Sequence, residues 1–408
     1  MFYLRKVKQI NQIQLSGENI YLFALTVTLV VSFLANTTFV QYIAVKNFNR
    51  INYLILGILV LKIFILDNYR WYELAGIFFV LAIGVYSWRV TNNNVLMIML
   101  TFIFAAKGVH FDKIIHQYFK VNLTLILLVS VYALLGIIRN LSYVRTDSKI
   151  MRYALGVLYP TDYAAYVFYL ILAYAFINYK RIGKRQYLLF TVIAVTLYAV
   201  TNARLDTILI LLIIPILLVA KRAGNSTHRI SRILAANYWS LTPILPYAFG
   251  LMTVYFNPAN SIFWHLNDLL SGRLLYGNIA FQQHPVKLLS QKVVEHGWGG
   301  IQGLKMFKDN QARYFFIDSS FIRLLVVYGV VLSIIVIGIM VIISVRAELR
   351  QSYLLPAIIL LITLSSLIDQ HLLEISFNPF LLAFLANGVV VTSSCKSATE
   401  RDVLSEKV

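Results

Sequence analysis

Charge is scarce in this chain, and a few charged residues stand where an apolar sequence has no structural need of them. Arg139, Arg145, Lys149 and Arg152 share one short segment with a single acid, Asp147. A guanidinium presents a planar fork of donors that fits phosphate oxygens, so the cluster suits an anionic ligand as readily as a solvated loop. Arg204 lies in Thr201-Asn202-Ala203-Arg204-Leu205-Asp206, at the entry to an apolar run. A helix starting there would aim free backbone N–H groups and a positive dipole end at the same point, although an Arg204–Asp206 pair or a snorkelling side chain fits the spacing too. Ser271-Gly272-Arg273 places another arginine in a long polar segment that also holds His265, His284, His296 and Asp318. The three histidines are 19 and 12 residues apart, which matches no compact ligand motif, so no metal site is read. His284 or His296 could serve as a base or proton relay. Asp318, directly before Ser319-Ser320-Phe321, could equally cap a helix or take a proton.

The elements that position these residues belong to a bilayer. Hydrophobic residues make up 59% of the 408 positions and charged residues 13%, a balance that excludes a water-soluble globular domain. The apolar residues fall into runs of roughly 16 to 25, the length a helix needs to cross about 30 Å of hydrocarbon. A net charge of +19 would suggest nucleic acid in a soluble protein; here much of it follows from topology. A single cysteine, Cys395, rules out an internal disulfide or a multi-cysteine metal site, and no cofactor is indicated. The first apolar run follows Arg5, Lys6 and Lys8 without a small-residue cleavage site and is expected to be a retained helix.

The fold class expected is all-α: a single polytopic membrane domain over residues 1–408 with about twelve transmembrane helices. The expected spans are Asn19–Ala44, Ile51–Leu66, Trp71–Trp88, Asn94–Ala106, Tyr118–Ile138, Asp162–Tyr179, Tyr187–Val200, Leu205–Ala220, Tyr238–Phe256, Ser320–Val345, Tyr353–Ile368 and Pro379–Thr392. Basic clusters at Lys180–Arg185, Lys221–Arg232 and Arg346–Arg350 alternate as cytoplasmic loops should, which puts both termini in the cytoplasm. Two long segments are then external: a basic loop, 139–161, and a larger one, 257–319. The larger contains an amphipathic stretch, Ile279–Val294, and the turn-rich Gly297-Trp298-Gly299-Gly300, and is expected to fold into short helices on the membrane face.

Arg204 opening a middle helix, Gly272-Arg273 opening a large external loop, then Pro285, the Gly297–Gly300 cluster and Asp318-Ser319-Ser320 before a helix, follow in order over roughly Asn202 to Gly329. Arg145 and Gly156 add an Arg-x10-Gly spacing. This arrangement resembles the polysaccharide polymerases of the O-antigen polymerase and ligase superfamily, in particular the Wzy-like capsule and exopolysaccharide polymerases. The resemblance implies a glycosyltransferase of the bacterial cytoplasmic membrane that passes a glycan from an undecaprenyl pyrophosphate carrier to a lipid-linked repeat unit at the external face. It implies arginines (Arg204, Arg273, Arg145 and Arg152) that stabilise the leaving pyrophosphate without a metal, and a proton acceptor among Asp318, His284 and His296. The partners implied are polyprenyl-pyrophosphate-linked oligosaccharides, membrane lipids, a chain-length regulator and a separate flippase. The chain departs from the family where many members have His-Asn at the end of the loop, because it has Asp318-Ser319 there. Two other readings are open: a lipid-linked oligosaccharide flippase, which would hold charge within its helices around a midplane cavity, and a ligase that transfers glycan to a different acceptor.

Overall fold

A computed structural model describes residues 17–144, 149–224, 228–309 and 314–389. These form helices and one short antiparallel hairpin, and six of the helices are long and apolar enough to cross a membrane. The chain is a mainly helical membrane protein.

The first five helices are α1 (Gly17–Ala35), α2 (Val45–Leu61, continued by a π-helical turn to Leu66), α3 (Trp71–Thr91), α4 (Val95–Ala105) and α5 (Phe111–Leu134). α1 packs on α2 and α5, and α3 packs on α4. The π turn of α2 carries Lys62, whose ammonium is 1% exposed and donates to Asp67 and to the carbonyl of Ala105 at 2.7 Å each. The ends of α2 and α4 are thereby tied together, and the charge is neutralised where it is buried.

The basic segment after α5 is a hairpin, β1 (Ser142–Val144) with β2 (Met151–Tyr153), which the all-α expectation did not include. Arg145 lies outside the described residues. α6 (Pro160–Ile177) follows, with proline in its first turn, where a missing N–H costs nothing. α7 (Lys184–Thr201) closes on Asn202 in the left-handed conformation, and the chain reverses directly into α8 (Arg204–Ala223). α9 (Arg229–Ala236) and α10 (Tyr238–Val254) lead to the long segment.

That segment contains α11 (Ser261–Leu269), α12 (Arg273–Gln283) and α13 (Gly300–Asp309). The amphipathic stretch expected from Ile279 to Val294 is helical only at its start, within α12 to Gln283. Pro285 forces His284 out of the helical region, to φ −131 and ψ 98, and the chain runs on without helix to Gly299. This run is stitched to the next element by Gln291 N to Val327 O, Val330 N to Lys287 O and Val331 N to Leu288 O, at 3.0, 3.0 and 3.1 Å.

The expected span Ser320–Val345 is two pieces: α14 (Ser320–Arg323, continued by a π turn to Tyr328) and α15 (Val330–Glu348). Gly329 separates them at φ 87 and ψ 169, a region essentially restricted to glycine. α16 (Leu354–Ile368) is buried at 13 of its 15 positions and packs on α8, α10 and α15, so it is the central helix of this half.

Within the described part of the expected twelfth span, Pro379–Thr392, the chain forms a 3-10 turn, Phe380–Phe384, and no α-helix. Asn378 competes with a helix locally: its side chain donates to Leu372 O and accepts from Phe380 N. From Asp369, beside Arg273 at one end of the bundle, this irregular segment reaches Phe384, whose carbonyl accepts from Arg346 at the other end, near the close of α15.

A methyl group at Gly329 would lie 2.6 Å from the backbone carbon of Leu289. Gly329→Ala is expected to cost about 2–4 kcal/mol from strain and forced backbone displacement. A melting curve of the detergent-purified variant that overlays the parent curve would refute this account of the α14–α15 junction.

Candidate active site

One cavity of about 340 Å³ lies where the hairpin, the starts of α6, α8 and α12, the residues before α14 and the residue after α16 meet. Arg152, Arg204, Arg273 and Asp318 all line it. The sequence places them across more than 160 positions, so the fold brings together residues that no local motif connects.

Each arginine is set by its element. Arg204 is the first residue of α8, exposed at the cavity wall, after a turn in which Ala203 N donates to Thr201 Oγ1. Arg273 is the first residue of α12, after Ser271 and Gly272 in the left-handed region at φ 52 and 89. Its Nε donates to Ile368 O at 3.1 Å and its Nη1 to Ser271 O at 3.0 Å, while Nη2 stands 3.8 Å from Asp318 Oδ2. Arg152, on β2, donates from Nε to Thr201 O at 2.9 Å and lies over the Tyr159 ring. α8 and α12 both start at the cavity, so backbone donors and positive dipole ends add to the guanidinium groups there.

Asp318 is held from the side. Arg323 and Glu295 form a two-pronged ion pair, both contacts 2.8 Å, and each also bonds Ile317: Arg323 Nη2 donates to its carbonyl and Glu295 Oε1 accepts from its N–H. Ser319 caps α14, which leaves Asp318 to face the cavity rather than the helix start. Burial pushes the Asp318 carboxyl above its ordinary value; Arg273 opposes this, and Asp369 adds to it. For Arg273 burial acts against the charge, but Asp318 and Asp369 outweigh it and hold the guanidinium above its ordinary value.

Two further carboxyls form the floor. Asp206, in the first turn of α8, and Asp369, just past α16, are 2% and 6% exposed and lie within hydrogen-bonding reach of each other. One oxygen of each has no partner. Sequence reasoning weighed Asp206 only as a partner for Arg204 and missed Asp369, which stood in a turn between two expected spans. The signal available was an acid directly against an apolar run, since an ionisable group at membrane depth marks function by default.

Aromatic rings close the side toward the long segment. Trp298 lies 4.4 Å from Tyr314, and Tyr276 meets Tyr314 edge-on at 4.8 Å, all three facing the cavity. Trp298 is placed by a tight approach: a methyl group at Gly303 would sit 2.4 Å from its carbonyl carbon. Burial pushes the Tyr314 hydroxyl far above its ordinary value, so it stays a neutral donor.

The two expected histidines are elsewhere. His284 ends α12 and faces Phe315 with ring centres 6.1 Å apart; His296 is exposed and pairs with Phe315 through backbone bonds of 2.8 and 3.2 Å. Neither lines the cavity. A different histidine, His371, is 4% exposed, with Nδ1 3.0 Å from Glu374 and Nε2 3.5 Å from Asp162. Among the described residues no cluster of three or more His, Cys, Asp or Glu side chains is arranged to hold a metal ion.

Comparisons with protein-family models, curated proteins and solved structures found no match. The cavity's own chemistry therefore carries the functional reading. Three arginines and three aspartates line it: Arg204 is exposed at the rim, Arg273 stands beside Asp318, and Asp206 and Asp369 are buried at the floor. Such a site suits a ligand with an anionic part near the rim and a proton-bearing group deeper in.

Each charge-assisted contact to phosphate is worth about 1.5–3 kcal/mol. With inorganic pyrophosphate as an anionic probe, Arg273→Ala and Arg204→Ala are accordingly each expected to weaken binding by roughly 10- to 100-fold. Arg273→Lys should recover little, because a point charge lacks the fork that reaches Ile368 O and Ser271 O together. Calorimetry showing unchanged affinity in both alanine variants would remove the arginines from the site.

Proposed function

We propose that the protein is a polysaccharide polymerase: it transfers a glycan from a polyprenyl pyrophosphate carrier to a hydroxyl of a lipid-linked repeat unit. The observation that carries this reading is the convergence of Arg152, Arg204, Arg273 and Asp318 on one cavity at one end of the helices. A polyprenyl chain lies in the bilayer and its pyrophosphate at the interface, which is where helix starts such as those of α8 and α12 face the polar phase.

In the proposed reaction Asp318 takes the proton of the acceptor hydroxyl. The acceptor oxygen forms a bond to the anomeric carbon as the bond from that carbon to the pyrophosphate oxygen breaks, and the electron pair leaves with the pyrophosphate. The arginines and helix starts oppose the charge that develops there, the contribution that is usually largest in such a step. A carboxyl raised above its ordinary range is a better proton acceptor than a free one. The energy of the new linkage comes from the pyrophosphate bond already made, so no nucleotide sugar is consumed.

Polymerase is favoured over flippase by where charge lies. Lys62, which a transporter reading would place in a midplane path, is closed off by Asp67 and the α4 carbonyls. The groups that remain available gather at the cavity. The chain is proposed to sit in the bacterial cytoplasmic membrane, with the cavity external and both termini cytoplasmic.

Two outcomes follow. Purified protein supplied with authentic lipid-linked repeat units should make oligomers without nucleotide sugar, ATP or a membrane gradient, and in the presence of EDTA. Product formation should fall on acidification at a pH above the ordinary carboxylate range, because a raised pKa keeps Asp318 protonated to higher pH; Asp318→Asn should abolish polymer. Inactive but well-folded protein, together with repeats trapped on the cytoplasmic side of a deletion strain, would favour the flippase.

Orientation is testable with an impermeant thiol reagent. Ser290, buried against Ser87 Oγ and Tyr328 O, is unsuitable, whereas Lys292 is exposed. Lys292→Cys in a Cys395→Ser background should be labelled from outside intact cells, and labelling only after permeabilisation would invert the topology.

A further inference from the structure

One cavity adjoins the arginine site and a second adjoins that one, and neither is lined by an arginine or a lysine. The nearer, about 280 Å³, shares Tyr159, Thr161, Trp298, Tyr314 and Asp318 with the arginine site and ends at Asn36, Asp162 and Gln370. The farther, about 200 Å³, begins at the same Asn36 and lies between α1, α2 and α4. Its polar lining is mostly amide: Asn49, Asn52 and Asn94 with Asn36, beside Glu374.

These amides are not fully used by the fold. Asn94 Nδ2 donates to Asn49 Oδ1 at 3.3 Å, which leaves the other amide group of each side chain to face the cavity. Asn36 donates to Glu374 at 3.2 Å. Asn52 is 6% exposed, and its Oδ1 has no partner at all. An unmet buried amide oxygen costs about 1–3 kcal/mol, and a hydroxyl from a ligand would recover that.

Charge states what the ligand is not. Asp162, Asp318 and Glu374 outnumber the cations beside them, His371 between Asp162 and Glu374 and Arg273 at 3.8 Å from Asp318, and no arginine or lysine lines either compartment, so an added anionic group is disfavoured. Trp298 and Tyr314 offer broad apolar faces beside polar tips, as Asn36 and Gln370 offer donors and acceptors. A pyranose ring has the same division, with axial C–H groups on one face and hydroxyls around its edge.

We infer that the two arginine-free compartments bind the uncharged oligosaccharide portion of the substrate, with Trp298 and Tyr314 stacking the sugar next to the pyrophosphate and Asn36 and Asn52 bonding hydroxyls farther along. The inference rests on the polymerase reading and adds a specificity to it: the repeat unit is neutral over these sugars, not built of uronic acids. The carboxylates exclude acidic sugars here, while the arginines accept the only anion, the pyrophosphate.

The test compares three probes on the full chain in detergent: bare undecaprenyl pyrophosphate, the same carrier bearing a neutral hexose and N-acetylhexosamine oligosaccharide, and the carrier bearing a uronic-acid oligosaccharide. The neutral conjugate should bind at least about tenfold tighter than the bare carrier, and the acidic conjugate should lose that advantage. Asn52→Leu and Asn49→Leu, both confined to the farther cavity, should each reduce the advantage several-fold while affinity for the bare carrier is retained, and that retained affinity certifies a folded protein. Asn52→Gln, which keeps an amide, should restore part of it. Equal binding of bare and neutral carrier, or an advantage that survives both variants, overturns the oligosaccharide track while leaving the arginine site standing. Failure of the parent chain to bind any of the three probes instead removes the polymerase reading and the track with it.

Discussion

Between Asp369 and Ala383 an irregular backbone is largely buried among apolar helices, and its polar groups have no α-helical ladder to satisfy them. In a membrane, non-helical backbone survives only where protein supplies the missing partners. Here they come from every side. Ser320 N and Oγ both donate to Asp369 O, and Ser320 Oγ accepts from Leu372 N. Tyr118 donates to Phe377 O, Arg346 to Phe384 O, and Asn387 exchanges bonds with Val109 and Phe111. Rings fill the remaining space: His371, Phe377 and Tyr166 stack at 3.7 and 3.8 Å. A helix would have satisfied itself and turned its first residues by local rules. The irregular path instead carries Asp369 to the cavity floor and His371 between Asp162 and Glu374, positions that depend on partners from α5, α14 and α15.

The arginines are a second consequence of where helices begin. Arg204 and Arg273 each occupy the first position of a helix, after a left-handed turn at Asn202 or at Ser271-Gly272. A left-handed residue reverses the chain within one step, so each helix start stays at the bundle's end, with its unmet N–H groups and its guanidinium pointing the same way. Arg273 is also tied to the carbonyl of Ile368, the last residue of α16, so the central helix fixes it from behind. The floor carboxyls are buried, whereas Arg204 is exposed. Asp318 stands 3.8 Å from Arg273, a distance that is long for an ion pair.

How much of this was legible in the sequence depends on how local each determinant is. Helix starts are set by the contrast between a polar cluster and an apolar run: the span expected from Leu205 begins one residue earlier, at Arg204, and the one expected from Ser320 begins there. The arginines and Asp318 were readable for the same reason, as charges that an apolar chain must have a use for. His284 and His296 were chosen by residue type, and the backbone decided otherwise: Pro285 ended the helix, and a bridge to Phe315 took His296 away from the cavity. The amphipathic pattern across Ile279–Val294 failed at the same proline, because side-chain periodicity says nothing about a backbone that cannot continue. Asp369 was illegible for a different reason. Its position follows from an irregular segment held by side chains of other elements 38 to more than 250 positions away, such as Arg346 at 38 and Tyr118 at 259. No window of sequence contains that information.

The proposed base deserves the same physical reading as the arginines. A carboxyl looks like a weaker proton acceptor than an imidazole, since its ordinary pKa is about 3.9 against about 6.5. Burial narrows that gap for Asp318, and Asp369 nearby narrows it further. Arg273 works the other way, but at 3.8 Å it keeps the carboxyl aimed into the cavity while forgoing the short contact that would hold it firmly ionised. The Arg323–Glu295 clamp on Ile317 then matters for chemistry as well as packing, because it fixes the backbone one residue before Asp318 without giving the carboxyl a competing partner of its own. On the proposed reading, an aspartate at this position is workable only in these surroundings: partly buried, near a second acid, and opposite an arginine whose best hydrogen bonds go to carbonyls.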